Sequence, residues 1–101
     1  MVSEATQGVI KSTHGYVKRL KPLVKDYLPT RNIDQWLNTL EAVDAGCEQL
    51  SSEDNLQLQE TLKRVVSMLS TCKRGKLDSE SAGYNIRLDK FAIDRIMGAT
   101  R

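Results

Sequence analysis

"SSEDNLQLQETLKRVVSMLSTCKRG", residues 51–75, is the stretch that decides the fold class. Its apolar side chains recur at steps of three and four residues, which is the pattern of a helix with one buried side. Ser51 or Ser52 can cap the start of this helix, and two acidic residues follow in the first turn, where the helix dipole favours them. Gly75 suits the position just beyond the helix end. The stretch therefore predicts one long, well-delimited helix.

Two further helices are predicted from the same period on the N-terminal side of this stretch. Residues 9–28 keep a single apolar stripe in phase through Pro22, which predicts one kinked helix rather than two. A second stripe runs through residues 33–50. Asn32 is the predicted N-cap of that helix, with Gln35 as its partner in a capping box.

The C-terminal part of the chain gives a mixed signal. Residues 76–85 are rich in Ser and Asp and are predicted to form a polar loop. Beyond them Tyr84, Ile86 and Leu88 alternate like a strand, whereas Ile86 and Ile93 also fit a helical period. A single strand would have no partner in this chain, so we predict a short C-terminal helix.

These segments together predict an all-α fold. The chain has 101 residues, which is enough for one domain, and residues 1–8 are expected to fray. The connections are short, so consecutive helices should be antiparallel in a small bundle of three main helices plus a short C-terminal helix. The predicted core consists of ten apolar positions: Val17, Leu20, Val24, Trp36, Leu40, Val43, Leu62, Val65, Val66 and Leu69.

Targeting, cofactor and catalytic signals are missing from the sequence. It shows no secretory signal and no run of apolar residues long enough to span a membrane, which predicts a cytoplasmic protein. Cys47 and Cys72 are in no metal or redox spacing and are expected to be reduced and buried. His14 is the only histidine and is predicted to be a surface residue. We therefore predict no catalytic residues, no metal site, no cofactor and no enzymatic activity.

The net charge of only +2 hides a strong segregation of charges along the chain. A lysine row follows one side of the first predicted helix at steps of three and four residues: Lys11, His14, Lys18, Lys21 and Lys25. This row can be a binding face for phosphates or for an acidic partner, or simply the solvated side of an amphipathic helix. An up-down-up bundle would also gather a basic end: Lys21, Lys25, Arg31, Lys73, Arg74 and Lys76.

The second predicted helix has an acidic row that shares one face: Asp34, Glu41, Asp44 and Glu48. These carboxylates flank the apolar stripe, so they can pair with lysines of a neighbouring helix. The alternative is that they form a binding surface for a basic partner. Pairing within the molecule is the preferred interpretation.

The functional expectation follows from the charge pattern and from the missing chemistry. We predict a protein–protein interaction module, such as an adaptor, inhibitor or regulatory subunit, whose charged helix faces orient its partner. Self-association through Tyr16, Tyr27, Phe91 or Met97 could accompany this role. The alternative is binding to a double-stranded nucleic-acid backbone, which needs lysines and arginines but no stacking platform. Tyr84, in the predicted loop, is the one aromatic residue expected to be exposed, since Phe91 and Trp36 are assigned to the core.

Overall fold

A computed structural model describes residues 4–98, with the side chains from Thr6 onwards, and within that range it contains helices and no strands. The predicted all-α fold is therefore confirmed. Five α-helices and one short 3-10 turn follow one another along the chain: α1 Glu4–Tyr27, α2 Thr30–Gly46, the 3-10 turn Cys47–Gln49, α3 Ser52–Lys73, α4 Ser79–Asn85 and α5 Arg87–Gly98.

The four longer helices pack as a bundle. Helix α1 contacts α2 and α3 along its length, and α5 contacts the same two helices from the other side. Helix α1 therefore lies at the corner diagonally opposite α5. Hydrogen bonds between Thr6 and Ser52 near one end, and between Cys72 and the carbonyl of Tyr27 at the other, show that α1 and α3 run parallel. Helix α2 follows α1 through a short connection and packs against α1 in the opposite direction.

The core lies between these helices, and all ten predicted core positions are buried. Further side chains complete it, among them Leu58 from α3 and two isoleucines from the C-terminal region, Ile86 and Ile93. Each is fully buried, which stabilises the fold by about 1.5–3 kcal/mol per side chain. The C-terminal helix is thus part of the main core.

The helix ends agree with the sequence in α3 and differ in α2. The side chain of Ser51 accepts a hydrogen bond from the Asp54 backbone N–H at 3.1 Å, and Gly75 has a φ of 74°, so both predicted signals of α3 are confirmed. The predicted capping box of α2 is wrong. Helix α2 begins at Thr30, directly after Pro29, and no side chain caps its start. Pro29 takes the N-cap position with an extended ψ of 145°, so the helix begins two residues before Asn32.

Two predictions about chain segments are corrected. The predicted loop over residues 76–85 contains helix α4, whose start is capped by Asp78. The Asp78 carboxylate accepts the Ser81 backbone N–H at 2.8 Å, which makes this Ser- and Asp-rich stretch a helix start. At the other end of the chain, α1 includes residues 4–8, most of the segment for which fraying is expected, while residues 1–3 lie outside the described range. Helix α1 also continues through Pro22, as predicted.

Buried polar contacts join α1 to α3. Asn55, which is fully buried in α3, accepts a hydrogen bond from the Thr13 hydroxyl at 2.9 Å and donates to the Cys47 carbonyl at 2.9 Å. Gln59 donates to the carbonyl of Val9 at 2.8 Å. These bonds fix the register of α1 against α3 and close the turn after α2.

Among the described residues, none of the helices combines the length and the apolar character that a membrane span requires.

Candidate interaction surfaces

The lysine row borders the seam between α1 and α2. Lys11, Lys18 and Lys25 are exposed, but Lys21 is half-buried, so the row lies closer to the core than a position directly opposite the apolar stripe. None of these four lysines forms an ion pair with any side chain in the described range. Their ammonium groups remain available to solvent or to a partner.

His14 is not a free member of that row, and its prediction as a simple surface residue is corrected. Its Nδ1 lies 2.6 Å from the Asp44 carboxylate, and its Nε2 lies 3.7 Å from Glu48 and 3.6 Å from the sulfur of Cys47. The antiparallel packing of α1 on α2 brings these residues together across 30 or more positions of sequence. Spacing along the chain could not reveal this cluster.

The cluster at His14 lacks the properties of a reactive site. Cys47 is fully buried, and burial, followed by the nearby charges of Asp44 and Glu48, raises the pKa of its thiol. A raised pKa keeps the sulfur protonated and poorly nucleophilic. Among residues 4–98 there is also no group of three or more His, Cys, Asp or Glu side chains arranged to hold a metal ion. The cluster joins α1 to α2.

The acidic row is partly used inside the molecule. Asp44 and Glu48 contact His14, so pairing across the seam occurs, but with the histidine instead of the lysines. The register set by His14 and Asp44 in two antiparallel helices brings Lys18 level with Glu41. The same register brings Lys25 level with Asp34, and within the described residues neither pair closes to an ion pair. The two rows therefore run beside each other along one seam.

The basic end forms only in part. The parallel packing of α1 and α3 puts Lys25, Lys73 and Lys76 at one end of the bundle, and all three are exposed. Arg31 does not add a free charge there because both terminal guanidinium nitrogens, Nη1 and Nη2, donate hydrogen bonds to the Glu80 carboxylate. This pairing lowers the pKa of Glu80 and raises the pKa of Arg31.

The outer side of α5 has exposed apolar side chains, among them Phe91, one of the residues predicted for self-association. Tyr84 is 63% exposed, and Leu88 and Phe91 are each 64% exposed, so the assignment of Phe91 to the core is wrong. Tyr84 is exposed as expected but lies in α4 instead of a loop. Together with exposed Arg95, these side chains follow one another at steps of four, three and four residues, and we call them the outer stripe. Two hydrogen bonds of the helical type, from the Ile86 N–H to the Ala82 carbonyl and from the Lys90 N–H to the Ile86 carbonyl, connect the end of α4 to α5.

Grooves run along both sides of the outer stripe. The groove toward α2 has a volume of about 350 Å³, with Trp36 in its wall, and the groove toward α3 has about 440 Å³. Phe91 borders both grooves, so its ring stands on the ridge between them. The guanidinium of Arg87 lies 3.7 Å from the centre of the Tyr84 ring and covers one of its faces.

The remaining cations of this region differ in how they are used. Arg64 is paired with Asp89 at 3.1 Å, and Lys90 with Asp94 at 3.0 Å. Arg95, at the end of the outer stripe, forms no ion pair with a described residue. The stripe thus consists of apolar and aromatic side chains that end in an arginine available to a partner.

Comparison of the chain with known protein families, with characterised proteins and with solved structures finds no match.

Proposed function

We propose that this chain is a non-catalytic protein-interaction module that docks on its partner through the outer stripe of α5. An adaptor, an inhibitor and a regulatory subunit would all act in this way. The observation that supports the proposal is the exposure of Leu88 and Phe91 on the solvent side of a helix whose other side is already buried by Ile93. A surface helix of a self-sufficient domain places polar residues there.

The energetics of the stripe favour a partner. Moving a large apolar side chain out of water is worth about 1.5–3 kcal/mol, and at α5 that free energy is gained only when another surface covers the stripe. Tyr, Phe and Arg are also the residue types that are enriched at the centres of protein interfaces. The grooves on both sides of Phe91 can receive side chains from the partner.

The charged rows fit this proposal as orienting elements. Exposed lysines on α1 lie at the corner of the bundle opposite α5, beside the acidic row of α2. Charges at the rim of an encounter change the association rate and the orientation more than the affinity. The His14 cluster supports the non-catalytic part of the proposal because its thiol is buried.

The test is affinity retention from extracts of the native host. Immobilised wild-type protein is compared with the double variant Leu88→Ser/Phe91→Ser. The control is Leu56→Ser, which changes an apolar side chain that is 53% exposed on α3 and does not belong to the outer stripe. We expect proteins retained by the wild type and by the control to be lost with the α5 variant. Retention that is unchanged in the α5 variant would contradict the proposal.

A second candidate function is binding to a double-stranded nucleic-acid backbone. The observation that favours it is the gathering of Lys25, Lys73 and Lys76 at one end of the bundle, without ion pairs to described residues. Two of these cations, Lys25 and Lys73, lie in the last turns of α1 and α3, where they offset the negative ends of two helix dipoles. That local role weakens the field available for phosphates.

A gel-shift series over salt concentration separates this candidate from the first. If four to six phosphates were engaged, the logarithm of affinity would fall against the logarithm of salt with a slope of roughly −4 to −5. Lys73→Glu/Lys76→Glu would flatten that slope, whereas Glu41→Lys/Glu48→Lys would leave binding intact or stronger. The absence of a shift at low salt would exclude this candidate.

A further inference from the structure

The outer stripe is complementary to itself. Its four residues are spaced four, three and four positions apart, so the spacing is the same when it is read in either direction. The two central positions are apolar, and the two outer positions are an aromatic ring and a guanidinium, Tyr84 and Arg95. A two-fold axis through the middle of such a stripe pairs each position with a chemically suitable one.

We infer that the partner of the outer stripe is a second copy of this chain, with the two α5 helices packed antiparallel; this inference rests on the proposed function. In that arrangement Leu88 packs on Phe91 of the partner subunit, and the reciprocal contact forms by symmetry. These steps are those of alternate a and d positions of a heptad, which interlock as knobs into holes between two helices. Every contact occurs twice.

The outer positions supply a polar contact of matched chemistry. Arg87 already covers one face of the Tyr84 ring, and the ring is 63% exposed, so its second face is open. Arg95 of the partner subunit is level with that face in the antiparallel arrangement. A guanidinium over an aromatic ring is attracted by the electron density of the ring face. Arg95 has no competing ion pair with a described residue.

The area of the stripe indicates a weak dimer. A large aromatic side chain buries about 150–250 Å² when it is fully enclosed, so the three large, two-thirds-exposed side chains of two copies remove roughly 700 Å² from water. Stable interfaces bury about 1,200–2,000 Å², and flanking residues have to supply the remainder. We therefore expect a dimer that dissociates in the micromolar to submillimolar range.

The position of α5 in the bundle suits this assembly. Helix α1 is at the opposite corner, so joining two copies through α5 leaves the exposed lysines of both copies on the outer sides of the dimer. Electrostatic repulsion between the lysines of the two copies is correspondingly small because these groups are far apart.

Sedimentation velocity from micromolar to millimolar concentration tests the inference. We expect the wild type to shift from monomer to dimer as concentration rises. Phe91→Glu should raise the dissociation constant at least about thirtyfold because it puts a charge at the centre of the interface. Leu56→Glu adds the same charge to a different exposed apolar position and should change it less than about threefold. Circular dichroism checks that each variant stays folded.

The direction of packing has its own matched pair of variants. Tyr84→Glu and Tyr84→Lys remove the same ring and differ only in the sign of the charge that faces Arg95 of the partner subunit. We expect Tyr84→Glu to dimerise at least about tenfold more tightly than Tyr84→Lys. Equal affinities would contradict the antiparallel arrangement.

The outcomes distinguish this inference from the proposed function. A wild type that stays monomeric at millimolar concentration overturns the second copy as the partner. The proposed function then still stands if retention of a host protein depends on Leu88 and Phe91, and it falls as well if no such retention is seen. A dimer that is insensitive to Phe91→Glu also overturns the inference.

Discussion

Helices α1 and α5 lie at opposite corners of one bundle, yet their outward sides differ in chemistry. The outward side of α1 is polar, with Lys11, Lys18 and Arg19 exposed above a continuous buried stripe. Helix α5 buries Ile93 and exposes Leu88 and Phe91. One helix is amphipathic in the ordinary sense, and the other is apolar on two sides.

This difference means that covering the outward side of α1 costs free energy, whereas covering the outward side of α5 gains free energy. The ammonium groups on α1 are exposed to water, so covering them has a desolvation cost. Contacts with the partner must compensate for that cost. The apolar side chains on α5 gain free energy whenever they are covered. A partner therefore gains more affinity at α5, while the lysines of α1 influence its approach and orientation.

The largest expected effect is a difference in stability loss between substitutions on the inward side of α5 and substitutions on its outward side. Ile93→Ala should lower the free energy of unfolding by about 2–4 kcal/mol because it empties a fully buried position. Phe91→Ala, two residues away, should lower it by less than about 1 kcal/mol when the protein is measured as a monomer. Urea denaturation at micromolar concentration measures both. Equal losses would mean that the ring of Phe91 is buried in the folded monomer.

The second effect is the loss of stability when the buried hydrogen bonds between α1 and α3 are removed. Asn55→Ala removes the acceptor of the Thr13 hydroxyl and the donor to the Cys47 carbonyl, so both buried groups lose a partner. We expect a loss of about 2–4 kcal/mol in the free energy of unfolding. Asn38→Ala, at an exposed position of α2, should change it by less than about 0.5 kcal/mol. A similar effect of both substitutions would show that the buried bonds are not what holds α1 in place.

The reactivity of thiols compares the buried contact between α1 and α2 with the exposed outer stripe. At mildly alkaline pH, native Cys47 should react with iodoacetamide at least about tenfold more slowly than the denatured chain, because it is buried and its pKa is raised. A cysteine introduced by Phe91→Cys should react almost as fast in the native protein as in the denatured one. Mass spectrometry of the labelled peptides measures both rates. Fast labelling of Cys47 would show that the seam opens readily.

The smallest effect is the pH dependence that follows from the same thiol. The folded state holds the proton of Cys47 to a higher pH than the unfolded chain, whose thiol has a pKa near 9.0. Above that value the folded state binds more protons than the unfolded state, so stability falls as pH rises. We expect a decrease in melting temperature between pH 9 and pH 10.5 that is smaller in Cys47→Ala. An equal decrease in both proteins would assign it to other groups.

The core and the long helices could be predicted from the sequence because their cause is local. The period of apolar residues in α1, α2 and α3 appears directly in the chain, and so do the cap at Ser51 and the left-handed glycine at Gly75. Asn32 shows the limit of such signals. It has the form of a cap, but Pro29 allows the helix to begin earlier.

The surfaces could be predicted only in part because they depend on which side of each helix the rest of the fold covers. Phe91 and Ile93 are both apolar residues of one short helix, and only the packing of α5 between α2 and α3 decides that Ile93 is inside. His14 falls in phase with the lysines, and the register of α1 against α2 draws it to Asp44. Helix α4 could not be predicted for a similar reason. Its Gly83 is buried close to Asn32, an approach that its lack of a side chain permits, and this packing is not visible in the sequence.

The most direct test of the difference between the two outward sides is a concentration series of amide proton–nitrogen NMR spectra. We expect resonances of Tyr84, Leu88, Phe91 and Arg95 to shift between micromolar and millimolar protein, while those of Lys11, Lys18 and Lys25 stay in place. Phe91→Glu should abolish the shifts. Shifts at the lysines of α1 with α5 unchanged would mean that α1, and not α5, is the interaction surface.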